Sequence, residues 1–144
     1  MEETFRTNVT GPALVMEAFQ QLLLKSKDPY SIYVSSGLGS LAMAADPNNP
    51  SYPVPYTAYR MSKSALDMWV LQEHKNLGPK GVKTFAMCPG LVESNLRGTS
   101  EEARSAGGAA TSPVVSGETM LSIIEGKRNA DVGKFVHKDG VYPW

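Results

Sequence analysis

The stretch SIYVSSGLGSLA, residues 31 to 42, decides the fold class that the sequence predicts. Ser31 to Ser35 contains β-branched and aromatic residues and predicts a short buried strand. Gly37 to Ala42 then reads G-x-G-x-x-A, the pattern of a dinucleotide-binding loop. That pattern needs a helix straight after the glycines, but residues 43 to 57 form a proline-rich loop. We therefore favour a turn that takes the chain out of the sheet, with a pyrophosphate site as the alternative.

A helix and a second strand follow this loop. The apolar residues between Thr57 and Asn76 recur at helical spacing, Thr57 can cap that helix, and the glycines of residues 78 to 81 end it. Val82 to Met87 predicts the second strand. Two buried strands separated by a helix indicate a parallel βαβ unit and an α/β fold. Ligands of such sheets bind at the carboxyl ends of the strands, here at residues 35 to 37 and 88 to 90.

The remaining elements flank this unit. Phe5 to Leu24 predicts a helix with a break near Gly11-Pro12, because a proline inside a helical pattern disrupts the hydrogen bonds. Residues 97 to 112 are small and polar and are expected to be mobile. Pro113 to Glu125 predicts a helix, and Lys134 to Val136 predicts a third strand. Nothing in the pattern indicates a repeat or a second domain.

Composition excludes several function classes. The 144 residues carry 14 basic and 14 acidic side chains, so charge gives no reason to expect binding to nucleic acid or to an anionic membrane. No run of about 18 apolar residues predicts a membrane span, and the first residues, MEETFRTN, are not typical of a secretory signal. The single Cys88 fits a small buried residue in a reducing compartment, which predicts a cytoplasmic protein. Cys88, His74 and His137 lack metal-ligand spacing, so no metal site is expected.

The strongest chemical signal is Tyr59-Arg60-Met61-Ser62-Lys63. Residues four apart lie one turn apart on the same helix face. A cation near a phenol favours the phenolate and lowers its pKa, so that tyrosine can exchange protons. Taken alone, the pair could be an exposed lysine near a packed tyrosine. Its predicted place is the first turn of the helix between the two strands, which puts Tyr59 and Lys63 near Ser36 at the strand ends.

These residues together resemble the short-chain dehydrogenase/reductase family. Asn8-Val9-Thr10-Gly11 resembles its helix motif with the catalytic-site asparagine, and Ser35-Ser36-Gly37-Leu38-Gly39 resembles its Ser-Ser-x-x-Gly motif. Tyr59-x-x-x-Lys63 is similar to its hallmark pair, and Pro89 to Ser94 resembles the segment that contacts nicotinamide. The four motifs occur in the family's order. Tyr-Arg-Met-Ser-Lys and the final Gly-Val-Tyr-Pro-Trp resemble fungal carbonyl-reductase-like members most.

The resemblance implies a Rossmann-like doubly wound parallel sheet and an oxidoreductase that interconverts a carbonyl and an alcohol. It implies that Tyr59 exchanges the proton, that Ser36 polarises the substrate oxygen, and that Lys63 assists Tyr59. It implies that Asn8 holds a water that links Lys63 to solvent. The implied catalytic set is Asn8, Ser36, Tyr59 and Lys63, and the implied cofactor-binding set is Asn8, Tyr59, Lys63, Pro89, Gly90, Val92 and Ser94. NADP(H) is favoured over NAD(H) because of the carbonyl-reductase-like motifs.

The sequence departs from the family pattern at three points. The glycine-rich phosphate loop that opens the family's fold has no counterpart, so residues 1 to 144 are expected to be the C-terminal part of one domain, with the N-terminal half missing. Ser36 and Tyr59 are 23 positions apart, a wider spacing than is usual, which resembles the insertion of monomeric carbonyl reductases. Ser94 stands where the family usually has threonine, but it keeps the hydroxyl.

Two other functions compete with an active reductase. A chain without the phosphate loop could be a non-catalytic remnant that binds a relative or another protein. A parallel strand needs neighbours on both edges, so we also expect self-association, a partner, or a tendency to aggregate. A hydrolase is disfavoured because no G-x-S-x-G elbow occurs.

Overall fold

The computed structural model describes residues 1–144 and contains one four-stranded sheet in the order β1-β2-β3-β4. The strands are β1 (Tyr30–Val34), β2 (Lys83–Met87), β3 (Phe135–His137) and β4 (Gly140–Tyr142). β1, β2 and β3 run parallel, which confirms the α/β class and the βαβ unit, and β4 returns antiparallel to β3. β4 was not predicted from the sequence, because three residues are too few to show an alternating pattern.

Six α-helices accompany the sheet. They are α1 (Glu2–Phe5), α2 (Gly11–Leu23), α3 (Leu41–Ala45), α4 (Thr57–Leu77), α5 (Glu101–Ser105) and α6 (Pro113–Ile124). The predicted bounds of α4 and α6 are within one residue of those observed. Thr57 does not cap α4 as expected: it is the first helical residue, and its hydroxyl donates to the carbonyl of Pro55 at 3.0 Å. None of the helices combines the length and the apolar character needed to cross a bilayer.

The break predicted near Gly11-Pro12 takes the form of a π-helical turn. This turn spans Arg6–Thr10 and joins α1 to α2 without ending the helix. Proline has no backbone N–H to donate to a carbonyl one turn earlier, and the N–H of Gly11 reaches back to the carbonyl of Arg6, five residues away. The wider turn accommodates the missing donor and contains Asn8.

The sheet separates two hydrophobic clusters. On one side, Leu66 and Val70 of α4 pack against Ala86 and Phe135. On the other side, Ile123 of α6 packs against a second set, made of Phe85, Met87 and Val136. Successive residues of β2 therefore point to opposite clusters and are almost all buried, as expected for a parallel strand covered on both faces.

A buried polar network also ties α4 to the sheet. The Glu73 carboxylate accepts hydrogen bonds from the hydroxyls of Tyr33 in β1 and of Thr84 in β2. The Trp69 indole donates to Tyr33 Oη at 3.0 Å. Because each of these buried polar groups has a partner, the network holds α4 in one position over both strands.

The outer edge of β1 has no neighbouring strand, and no helix packs closely over it. β1 pairs only with β2, and α2 buries none of its residues. Val15 and Phe19 of α2 are about 60% exposed, although they belong to the apolar face of that helix. A groove of about 620 Å³ lies between α2 and β1. We call it the α2/β1 groove; its lining includes Asn8, Val15, Phe19, Ile32, Val34 and Lys63.

Candidate active site

The carboxyl ends of β1 and β2 meet as the sequence predicted. Val34 is paired with Met87 at the last register position, so Ser35 and Cys88 leave the sheet side by side. The N–H of Gly37 donates to Cys88 Sγ at 3.3 Å and joins the two ends. Cys88 is buried, as expected for a small structural residue.

Helix α4 presents Tyr59 and Lys63 to these strand ends. Lys63 Nζ donates to the carbonyl of Val34 at 2.9 Å and lies 5.7 Å from the centroid of the Tyr59 ring. The hydroxyl of Ser36 faces the Tyr59 phenol closely enough to oppose the rise that burial causes in the pKa of Tyr59. Three of the predicted site residues, Ser36, Tyr59 and Lys63, therefore lie together at the ends of β1 and β2.

The electrostatics of the pair differ from the expectation drawn from spacing. Burial raises the pKa of Tyr59, the Ser36 hydroxyl opposes this rise, and Cys88 adds to it. Burial lowers the pKa of Lys63, while Asp67 and Cys88 act in the opposite direction. Lys63 directs its ammonium to a backbone carbonyl rather than to the phenol. The expected lowering of the Tyr59 pKa by Lys63 is therefore wrong: burial is the largest cause of the shift, and Tyr59 remains a phenol at neutral pH.

Asn8 reaches the site through a residue that the sequence analysis missed. Its side-chain amide donates to Ser62 Oγ at 3.0 Å, and Ser62 Oγ donates to the carbonyl of Tyr59 at 2.7 Å. Ser62 is fully buried. The only signal in the sequence is its place between Tyr59 and Lys63. Asn8 and Lys63 both line the α2/β1 groove, so the asparagine lies on the same side of α4 as the ammonium.

The segment from Pro89 to Ser94 leaves the site and makes its hydrogen bonds elsewhere. Val92 forms an isolated bridge with Thr111, and the N–H of Glu93 donates to the Thr111 carbonyl at 3.0 Å. Ser94 Oγ accepts a bond from the N–H of Leu96 at 3.4 Å. No hydrogen bond joins Pro89, Gly90, Val92 or Ser94 to the Ser36, Tyr59 and Lys63 cluster. Their connection to it is through Cys88, which precedes Pro89.

Residues 97 to 112, expected to be mobile, contain the short helix α5. The Arg97 guanidinium donates to the carbonyls of Val92, at 2.8 Å, and Ala103, at 3.1 Å. The Thr111 N–H donates to the Leu91 carbonyl at 2.9 Å. Both ends of the segment, at Arg97 and at Thr111, are therefore hydrogen-bonded to residues 91 to 93, which follow β2.

The last residues of the chain close another wall of the site. Ser40 Oγ donates to the carbonyl of Pro143 at 2.7 Å, and the N–H of Ala42 donates to the carbonyl of Trp144 at 3.0 Å. A Cβ atom on Gly37 would lie 3.3 Å from the Tyr142 ring. Sequence reasoning missed this wall because its contacts join residues about 100 positions apart.

The residues present fit one half of a nicotinamide dinucleotide. An ammonium, a phenol and an amide are suitable donors for ribose hydroxyls, and Gly90, with a φ of 78°, has open space around its missing side chain. The Gly37–Gly39 turn does not fit the pyrophosphate. It leads into α3, which has only five residues, and the Ser40 side chain already accepts from the N–H of Met43 at 3.1 Å.

Comparison of sequences identifies relatives of the chain. The family model described as short chain dehydrogenase matches residues 1–105. The short-chain dehydrogenase/reductase tropE of Talaromyces stipitatus is 38% identical over 151 aligned positions, which cover 94% of this chain and 55% of the relative. The C-signal protein of Myxococcus xanthus is 33% identical, with 100% of this chain and 78% of that protein covered. The chain spans about half the length of tropE and of eupG from a Phoma species.

Comparison of structures agrees with the sequence matches. The NADPH-bound carbonyl reductase from chicken fatty liver superposes with a TM-score of 0.80 at 25% identity, covering 100% of this chain and 57% of that one. The carbonyl reductase Sniffer of D. melanogaster gives a TM-score of 0.73, also at 25% identity and with the same coverage. The sheet is thus Rossmann-like, as expected. From its sequence motifs, its relatives and its fold, the chain belongs to the short-chain dehydrogenase/reductase family of oxidoreductases.

Proposed function

We propose that this chain carries the catalytic residues of an NAD(P)-dependent reductase that interconverts a carbonyl and an alcohol. The observation that supports it best is the half-buried phenol of Tyr59 beside the Ser36 hydroxyl, with Lys63 one helical turn away. The site lies at the carboxyl ends of two parallel strands, where ligands of α/β sheets bind. We propose Asn8, Ser36, Tyr59 and Lys63 as its catalytic residues.

Tyr59 is proposed to donate the proton to the carbonyl oxygen as that oxygen gains negative charge. Burial holds the pKa of Tyr59 above its ordinary value, so the phenol keeps its proton at neutral pH and can act as an acid. Ser36 donates a hydrogen bond to the same oxygen and stabilises the developing charge. This protonation state favours the direction of carbonyl reduction.

Lys63 and Asn8 are proposed to support Tyr59. The Lys63 ammonium supplies positive charge close to the reacting oxygen and a donor for the sugar next to the nicotinamide. Asn8 shares the α2/β1 groove with Lys63 and holds a water there through its amide, which links Lys63 to solvent. Its bond to Ser62 fixes the amide relative to α4.

The cofactor proposed is NADP(H) rather than NAD(H). When bound, it supplies the hydride of the reaction. Pro89, Gly90, Val92 and Ser94 are proposed to hold its nicotinamide end, together with Asn8, Tyr59 and Lys63. The preference for NADP(H) is supported by two structural neighbours whose structures contain it: the chicken reductase holds NADPH, and a Burkholderia multivorans protein of similar fold holds NADP.

The 144 residues are proposed to form the C-terminal part of a single catalytic domain in the cytoplasm. The free thiol of Cys88 supports a reducing compartment. A second candidate function is that of a non-catalytic binding module. The exposed α2/β1 groove favours it, since an uncovered strand edge and an apolar helix face can accept another protein or a second copy of this chain.

Titration of NADPH into the purified chain tests the reductase proposal. Binding is followed as energy transfer from Trp69 and Trp144 to the reduced nicotinamide, and circular dichroism of the same sample shows that the chain is folded. We expect saturable binding and reduction of simple aldehydes and ketones. A folded chain that binds no NADPH and reduces no carbonyl contradicts the proposal and favours the binding module.

Replacement of the proposed proton donor gives the first mutational prediction. In Tyr59→Phe the phenol is lost, so kcat for carbonyl reduction falls by about 10²–10⁴-fold, the usual contribution of a positioned acid. NADPH binding is weakened much less than kcat, because the other proposed donors to the cofactor, Asn8 and Lys63, remain. Tyr56→Phe is the matched control: Tyr56 lies three positions away, is exposed, and has no proposed role. Equal activity of the two variants contradicts the role of Tyr59.

A further inference from the structure

Asp67 is a buried carboxylic acid to which the proposed mechanism gives no role. It lies four residues after Lys63 and eight after Tyr59, so the three side chains follow one another along the same face of α4. Only 5% of Asp67 is exposed. Neither of its carboxyl oxygens has a hydrogen-bond partner, which is a rare state for a buried polar group.

The residue opposite Asp67 is Ser35, the first residue after β1. Its hydroxyl is also fully buried and also has no hydrogen-bond partner. The hydroxyl nevertheless faces the carboxyl closely enough to lower the pKa of Asp67. Rotation of either side chain brings the two unpaired groups together, and each would satisfy the other.

The backbone leaves Asp67 little freedom to move away. A Cβ atom on Gly39 would lie 3.0 Å from Asp67 Oδ2 and 2.8 Å from the backbone carbon of Lys63. The 3₁₀ turn Gly37–Gly39 therefore packs directly against α4 at this point. Asp67 is confined between that turn, Ser35 and Lys63.

Charge connects Asp67 to the proposed active site. Burial raises the pKa of Asp67 to about 7, while Ser35 and Lys63 oppose the rise. Asp67 in turn raises the pKa of Lys63, against the effect of burial. The groups around the Asp67 and Lys63 pair are Ser35 from the end of β1, Tyr59 from α4 and Cys88 from the end of β2. The 3₁₀ turn presents only the backbone of Gly39.

We infer that Asp67 is a positioning residue that holds Lys63 in its charged form, and that the Ser35 hydroxyl holds the Asp67 side chain in place as a carboxylate. The inference rests on the proposed function, because it acts through Lys63. It adds Asp67, one helical turn after Lys63 on α4, to the groups that act on the site. Without the charge of Asp67, as in Asp67→Asn, Lys63 gives up its proton at lower pH.

The test measures the charge of Lys63 directly. The chain is labelled with ¹³C-lysine, the Lys63 side-chain signal is assigned by its loss in Lys63→Arg, and its titration is followed by NMR. In Asp67→Asn the Lys63 titration moves to lower pH. In the control Glu73→Gln, which also removes a buried carboxylate from α4, it stays in place. An unmoved Lys63 titration in Asp67→Asn overturns the inference.

A second variant decides the role of Ser35 and applies if Asp67→Asn does not fold. In the parent chain the Lys63 signal also reports the ionisation of Asp67 near pH 7. Ser35→Ala removes the hydroxyl that lowers the pKa of Asp67, so this inflection moves to higher pH. An inflection at unchanged pH, or none in the parent, overturns the inference.

Kinetics separate this inference from the proposed function. In the parent, kcat/KM for carbonyl reduction declines at alkaline pH, where Lys63 loses its proton. In Asp67→Asn this alkaline decline moves to lower pH, because Lys63 then lacks the carboxylate that stabilises its charged form. A parent without any turnover refutes the proposed function, whereas the Lys63 titration still decides the role of Asp67.

Discussion

At the scale of single residues, burial determines the proton affinity of the site. Tyr59, Lys63 and Asp67 each have a pKa displaced toward the neutral form, and desolvation is the largest cause for all three. The Ser36 hydroxyl opposes part of the shift at Tyr59, and the mutual attraction of Lys63 and Asp67 opposes part of it at those two residues. A site built in this way keeps a phenol, rather than a phenolate, ready to donate a proton.

The raised pKa of Asp67 predicts how stability depends on pH. Its pKa of about 7 in the folded chain lies about three units above the ordinary value of 3.8, so between these values the folded chain binds this proton more tightly than the unfolded chain. Its contribution to the free energy of unfolding is therefore complete below pH 3.8 and lost as the pH rises through about 7. Each pKa unit corresponds to about 1.4 kcal/mol.

Asp67→Asn removes this titration and is expected to be the more stable protein at pH 8, by up to about 4 kcal/mol. At pH 4 the two proteins are expected to have similar stability, because Asp67 is then largely neutral. Urea unfolding at both pH values measures the difference. A variant that is less stable than the parent at pH 8 contradicts the burial argument.

At the scale of elements, the close approach of α4 to the 3₁₀ turn Gly37–Gly39 positions the site. Gly39 is buried and leaves no room for a side chain against the backbone of Lys63. Ser64 Oγ reinforces the contact by donating to the Gly39 carbonyl. This glycine is needed for packing, which explains the G-x-G pattern without a pyrophosphate.

Gly39→Ala is expected to lower the free energy of unfolding by about 1–3 kcal/mol, the usual effect of overpacking. The added methyl group would meet backbone atoms at 2.8 Å, and backbone cannot move as a flexible side chain does. Gly117→Ala in α6 is the control: its new Cβ meets nothing within 4 Å, and alanine favours a helix by about 0.5–1 kcal/mol. Denaturant unfolding of both variants should give changes of opposite sign; a stabilised Gly39→Ala would contradict the packing argument.

At the scale of the whole molecule, one side of the sheet is complete and the other is open. β2 has a strand on either side and a cluster on either face, whereas β1 has an unpaired edge beside the exposed apolar face of α2. Unpaired edges and large apolar patches favour association with another chain.

The open side predicts that the apparent mass of the chain rises with concentration. Phe19→Lys, which places a charge in the α2/β1 groove, is expected to reduce this association. Leu121→Lys in α6 is the control, because Leu121 is an exposed apolar residue of similar accessibility far from that groove in the fold. Size-exclusion chromatography with light scattering measures both. A monomeric parent at high concentration, or equal association of the two variants, contradicts the role of the groove.

Local patterns determined a large part of this protein. The four-residue spacing of Tyr59 and Lys63, the periodicity of α4 and α6 and the apolar runs of β1 and β2 each depend on neighbours in the chain. These patterns led to the α/β class, the strand-end site and the family. The chemistry of the site was accessible for the same reason, because its two central groups share one helix.

Only the tertiary structure decided which groups surround Tyr59 and Lys63. β4, the bond from Asn8 to Ser62 and the wall formed by the last residues all join distant parts of the chain. The direction of the Tyr59 pKa shift also escaped the sequence, because spacing reveals a neighbouring cation but not how much water burial removes. Asp67 showed the same limit: its position on the helix face was visible in the sequence, but its isolation with Ser35 arises only when β1, the 3₁₀ turn and α4 pack together.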